Sequence, residues 1–160
     1  MDQLSALEHI THRLEQDVLY ANCSEMEKVV LDFGQAYSGM KRPKSFRLGR
    51  RKQCFQNAIS AVLDRNDERL SYVEGYAKVP GLPAFPHAWI AFDDERAIEL
   101  TVKSDPLEMA FFGVRFSRAE LIRLMRDQET YGLLQLPIHP TVLELIRGRI
   151  DTKKHAVDAI

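Results

Sequence analysis

Two short runs, HAWIAF (87–92) and AIELTV (97–102), flank the charged tetrapeptide DDER. Successive side chains of a strand point to opposite faces, so each run has an inner and an outer set. In the first, Ala88, Ile90 and Phe92 share one face, and His87, Trp89 and Ala91 share the other. In the second, Ile98, Leu100 and Val102 form the apolar face, leaving Ala97, Glu99 and Thr101 opposite. Pairing must keep both apolar triplets on one side, because a one-residue slip turns one of them to solvent. An odd-numbered loop, Asp93-Asp94-Glu95, delivers that register. It places His87 and Glu99 on a common face of adjacent strands, as direct or diagonal neighbours. The pattern therefore demands an antiparallel hairpin and sets a carboxylate beside an imidazole.

The remaining elements are read around this hairpin. Residues 2–21 have amphipathic helical spacing, with Leu4, Leu7, Ile10, Leu14 and Val18 near one face. Ser24 and Glu27 fit a capping box opening a second helix to about Tyr37, followed by a breaker- and charge-rich loop, SGMKRPKSFRLGRR. A third helix starts near Cys54 and runs through Ala58, Ile59, Val62 and Leu63 to about Arg65. LSYVEGYAKV and MAFFGVRF read as further strands, with PGLPAFP a shaped, breaker-rich connection. A glycine inside a strand marks a bulge or close backbone approach, which is the reading for Gly75 in preference to a cleft wall at Glu74-Gly75. Ser117 and Glu120 form a second capping box before a helix to Arg126, and Pro140 suits the first turn of a last helix. The order is α+β: N-terminal helices, an antiparallel sheet of about four strands with the Cys-bearing helix packed on it, and C-terminal helices. The 160 residues form a single domain in this reading, with a helical part at 1–40, a core at 50–116 and a helical part at 117–160.

Cys54 sits where a thiolate is stabilised. A helix start offers unpaired N–H groups and the positive end of the dipole, and Arg50, Arg51 and Lys52 add to the field. His87, oriented by Glu99, is suited to take the thiol proton. Backbone N–H groups at the helix start, with Gln53 or Gln56 as side-chain donors, are the oxyanion candidates. Cys54 also has a plain reading as a small core residue; the company of His87 and Glu99 favours the nucleophile. Cys23 precedes a capped helix too, but has no motif around it and is read as structural. Tyr76 and Trp89 are open to two readings, cleft lining or packing within half-buried strands, and packing suits the residue types better. His9 and His12, three apart on the first helix, lack a third ligand and read as a solvated face. His139 lies at a loop end and His155 in the tail.

Composition excludes several classes. The 22 basic and 23 acidic residues leave a net charge of −1, so no global attraction to nucleic acid or membranes is expected. A local exception is the run Lys41, Arg42, Lys44, Arg47, Arg50, Arg51 and Lys52, whose plain reading is a solvated loop. No CxxC or HExxH occurs, and neither a metal nor a cofactor is expected. With no signal-peptide pattern, no spanning segment and two cysteines, free thiols in the cytoplasm are the expectation. The sequence leaves the oligomeric state open.

QCFQNA, SYVEGYA, PHAWI, AIELT and FFGVRF, in this order, resemble the papain-like and transglutaminase-like cysteine hydrolase superfamily. More narrowly they are similar to a group of small bacterial and phage proteins with a Cys helix, an EGYA strand, a HAW strand and an acidic residue before Thr. The resemblance covers residues 53–116. It implies Cys54 as nucleophile, His87 as base and Glu99 as orienting acid, with a peptide or protein substrate. Relatives more often carry Asp in a DPT-like string; here ELT adds a methylene, which implies a longer or differently angled contact. The glutamine that such proteins place several residues before the cysteine is missing, since Leu48 and Gly49 occupy that region. The expected function is a hydrolase or acyl transferase acting on amide bonds. The alternative is a non-catalytic binding or host-interaction module on the same fold, using the basic stretch 41–52 and the first helix as its contact surface.

Overall fold

The computed structural model describes residues 3–19, 24–126, 128, 131–135 and 137–158. Cys23 lies outside them, as does the end of the first expected helix. The elements run α1 (Gln3–Leu19), α2 (Glu25–Phe33), β1 (Gln35–Met40), α3 (Cys54–Asp64), β2 (Leu70–Lys78), β3 (Phe85–Phe92), β4 (Arg96–Ile98), β5 (Ala110–Ser117), α4 (Arg118–Met125) and α5 (Pro140–Asp158). The architecture is α+β, five helices around five strands among the described residues.

The open sheet of about four strands is corrected: the strands close into a barrel in the order β1-β4-β3-β2-β5. Closure depends on β1, which pairs parallel with β4 on one edge and antiparallel with β5 on the other. The sequence pattern assigns these residues to the end of a helix and a loop, so the helical part does not extend to residue 40. α2 ends at Phe33 and the chain turns through Gly34, where a Cβ would stand 2.3 Å from the Val30 carbonyl oxygen. QAYSGM carries a weak strand signal, since only Tyr37 and Gly39 are buried. Closure also requires backbones to approach. Gly75 and Gly113 face each other across β2 and β5, and a Cβ on Gly75 would come within 2.4 Å of the Gly113 Cα. A side chain there would force the ladder apart, the close approach that a strand glycine signals.

The hairpin register is the one the alternation requires. Ile90 pairs with Ile98 and Ala91 with Ala97 across a loop in which Asp93 and Asp94 both take positive φ. Two apolar regions result. Ala88, Ile90 and Ile98 face the main core, where Ile10, Leu14, Val30, Ile59, Val62 and Leu121 pack from the helices. Trp89, Ala91 and Ala97 face the barrel interior with Tyr37, Val73, Met109 and Phe111. Within α1, Ile10 and Leu14 are buried as their spacing predicts, whereas Leu4 is 72% exposed. Ser24 accepts from the Glu27 N–H at 3.3 Å, and the Ser117–Glu120 box is complete in both directions. Pro140 opens α5, and His139 Nδ1 accepts from the Thr141 N–H at 3.2 Å, which caps that helix.

Candidate active site

Cys54 is the first residue of α3, which lies against β3 and β2. The preceding Gln53 gives no side-chain cap, so the helix start keeps donors free of side-chain capping. The thiol is unpaired with any other cysteine and partly exposed. Just before it, Lys52 holds φ of +60°, the left-handed region that favours glycine.

His87 opens the buried part of β3, and its ring is held by the alternation of the strand. Phe85 meets it edge-on at 5.3 Å between centroids, and Trp89 stacks on it at 6.2 Å, these being the residues two before and two after on the same face. Its Nε2 lies 2.6 Å from Glu99 Oε2, a contact in which both side chains are almost fully buried. The second carboxylate oxygen, Oε1, accepts from the backbone N–H groups of Thr101 and Val102 at 2.7 and 2.8 Å. These bonds explain why β4 stops at Ile98: the chain leaves the ladder to wrap the carboxylate. The extra methylene of glutamate therefore does not lengthen the contact with the ring.

With Nε2 taken by Glu99, Nδ1 is the nitrogen left for the thiol, and the Cys54 side chain lies in the same cleft as the ring, close enough to act on it. Burial pushes the imidazole pKa down, but the bonds to Cys54 and Glu99 outweigh it and raise it to about 9. The ring is thus protonated at neutral pH, poised between a sulfur and a carboxylate.

These groups open onto a cleft of about 590 Å³ lined by Cys54, His87, Phe85, Pro86, Thr101 and Val102, with Arg51, Lys52 and Lys103 at its rim. Phe85 and Pro86 end the PGLPAFP connection, which is fastened by Lys78 Nζ donating to the Leu82 carbonyl and by Arg13 donating to Ala84 O at 2.9 Å.

Four other expected site residues fall elsewhere. Gln53 and Gln56 line a separate groove beside residues 45–50 and do not face the cleft. On a helix Gln56 is about 200° around the axis from Cys54, which accounts for this. The backbone N–H groups of the helix start are the oxyanion candidates that remain. Tyr76 is buried in the main core and Trp89 in the barrel interior, so both are packing residues and neither lines the cleft.

Asn57 is a site residue that sequence reasoning misses. Its Nδ2 donates to Arg50 O at 2.8 Å and to Thr101 Oγ1 at 2.9 Å, while Oδ1 accepts from the Arg50 N–H at 3.2 Å. Beside it the Gly49 N–H donates to Leu100 O at 2.6 Å. Asn57 thereby ties the cysteine helix to the turn that carries Glu99. The one signal for it is an asparagine inside a helix, a type that favours bonds to backbone over helical positions. Glu74 is the other departure. It is fully buried and receives hydrogen bonds from Tyr72 Oη at 2.6 Å, from Leu134 N at 2.8 Å and from Leu133 N, so it anchors segment 131–135 and forms no cleft wall. Burial is the main cause that raises its pKa, against the pull of those donors.

Among the described residues no group of three or more His, Cys, Asp or Glu is placed to hold a metal, and no helix is long and apolar enough to cross a membrane. Comparison of the chain with protein-family models, curated proteins and solved structures finds no match.

Proposed function

We propose that the protein is a cysteine hydrolase or acyl transferase of the papain-like or transglutaminase-like kind, acting on amide bonds of a peptide or protein. The observation that carries this reading is the Cys54 side chain sharing a cleft with a His87 ring that Glu99 holds from behind at 2.6 Å. The reacting form is a Cys54 thiolate beside the His87 imidazolium. Sulfur attacks the carbonyl carbon, and the developing oxyanion lies at the N-terminal N–H groups of α3. The C–N bond breaks as His87 gives its Nδ1 proton to the departing nitrogen, leaving a thioester. Water or an amine then attacks that thioester, His87 takes its proton, and the S–C bond breaks to restore the pair. Glu99 holds the ring in the tautomer and orientation both steps need. A reducing, cytoplasmic setting would keep the sulfur available. The 2.6 Å contact at Glu99 weighs against a degenerate, purely binding version of the fold, because a site without chemistry has no need of an oriented, protonated ring.

The test is alkylation of folded protein by iodoacetamide between pH 5 and 8, read at Cys54 by mass spectrometry. The expected result is modification below pH 7 about 10-fold or more faster than an ordinary thiol, lost in His87→Ala. An ordinary rate, unchanged by that substitution, rejects the proposal.

A further inference from the structure

We infer that this cleft selects acidic peptide segments, with carboxylate side chains flanking the amide to be cleaved; the inference rests on the catalytic reading above and names its substrate class. Every charged side chain at the cleft rim is a cation: Arg51 and Lys52 on the helix side, Lys103 on the side of the turn that follows Glu99. All three are exposed, and none forms an ion pair with a described residue. The cations therefore come from both of these cleft-lining segments, with their charge uncommitted.

The field extends past the cleft. A second depression of about 610 Å³ shares Val102 and Lys103 with it and continues to Lys41 and Arg42. Its two acidic residues are Glu99, whose oxygens are taken by His87, Thr101 and Val102, and Asp105, whose Oδ1 accepts from the Leu107 N–H at 3.0 Å. General basicity does not explain this, because the whole chain carries a net charge of −1 while residues 41–52 include seven basic and no acidic side chains. A concave site with one sign of charge and apolar walls, here Phe85, Pro86 and Val102, focuses its field on an incoming ligand. Lys52 adds an independent indication. Glycine is the relaxed residue at its φ of +60°, yet a lysine is held there, beside the nucleophile. The contiguous cleft and depression suit an extended chain, and the reacting sulfur requires an acyl carbon between its carboxylates.

Two thiol reagents that differ in charge separate this inference from the one it rests on. Iodoacetate is anionic and iodoacetamide neutral, and an ordinary thiol reacts faster with the neutral one. At low ionic strength Cys54 is expected to reverse that order by about 5-fold or more. The preference should vanish near 1 M salt, where the Debye length is about 3 Å. The double variant Arg51→Glu, Lys103→Glu should lower the iodoacetate-to-iodoacetamide ratio about 10-fold or more, while Lys28→Glu, on α2 and outside the cleft lining, leaves it unchanged. A peptide with glutamates flanking the amide should be turned over faster than its glutamine counterpart, and the double variant should erase the difference. Fast iodoacetamide labelling with an ordinary, salt-insensitive ratio overturns the charge selection and leaves the catalytic reading intact. Slow labelling by both reagents overturns both.

Discussion

Glu99 commits each carboxylate oxygen to a different task. Oε2 meets the His87 ring, and Oε1 gathers the two N–H groups of the turn that follows. Glu99→Gln separates these roles. The amide oxygen can still accept from Thr101 and Val102, but its NH₂ then faces Nε2 and makes that nitrogen an acceptor. Nε2 gives up its proton, Nδ1 keeps the one it holds, and the neutral ring can no longer accept the thiol proton. Activity should fall by about 10²–10⁴-fold, since the acid–base partner sits in the wrong tautomer. Circular dichroism should show the fold retained, and a variant with activity within a few-fold of wild type would remove Glu99 from the proposed triad. The pairing of His87 with Glu99 is legible in the amino-acid pattern because two apolar triplets leave a hairpin only one register. Gln53 and Gln56 fail as oxyanion donors for the converse reason. Nearness in sequence to Cys54 says nothing about helical phase, and phase turns Gln56 away.

At the level of elements, the site is a junction of α3, β3 and the turn after β4, and Asn57 is the side chain that joins the first of these to the last. Its three hydrogen bonds run to residue 50 before the helix and to residue 101 beyond the strand. Asn57→Ala leaves the Arg50 carbonyl and the Thr101 hydroxyl without that partner, at a cost of about 0.5–1.5 kcal/mol because water reaches the Arg50 side. Asn57 touches no reacting atom, so it acts as a positioning residue. The expected signature is a fall in kcat with KM nearly constant, together with slower Cys54 alkylation at low pH. An unaltered alkylation profile would reduce Asn57 to a structural staple. No periodic pattern exposes such a residue, because its role is set by three segments meeting in space. β1 escapes sequence reading for a related reason. Six residues with two inward positions, one of them glycine, carry too little alternation, and its identity as a strand comes from having partners on both edges. β2, β3 and β5, each with long apolar alternation, are legible in type and nearly in extent.

For the molecule as a whole, a buried charged pair links stability to pH. His87 is 2% and Glu99 3% exposed, so unfolding releases both to water. In the folded state the imidazole is raised from 6.5 to about 9, by the bonds to Cys54 and Glu99 acting against burial. The folded protein therefore holds this proton more tightly than the unfolded chain does. Between those two values the unfolded chain gives up the proton while the native state keeps it, so the proton is bound by the state that is stabilised. The resulting stabilisation is complete below pH 6.5 and disappears as pH climbs through about 9. Buried tyrosines do not obscure this window. Tyr76 is raised to about 12 and Tyr37 and Tyr72 also lie above their ordinary value, mainly through burial, so their cost begins only where an unfolded tyrosine ionises, near 10. Urea denaturation at pH 6, 7.5 and 9.5 should show the wild-type midpoint falling across the series. His87→Gln, which keeps a polar side chain but no titrating ring, should start lower and fall less. Parallel declines in the two proteins would mean that the ring carries no extra proton in the native state, and the charge assigned to the resting site would have to be withdrawn.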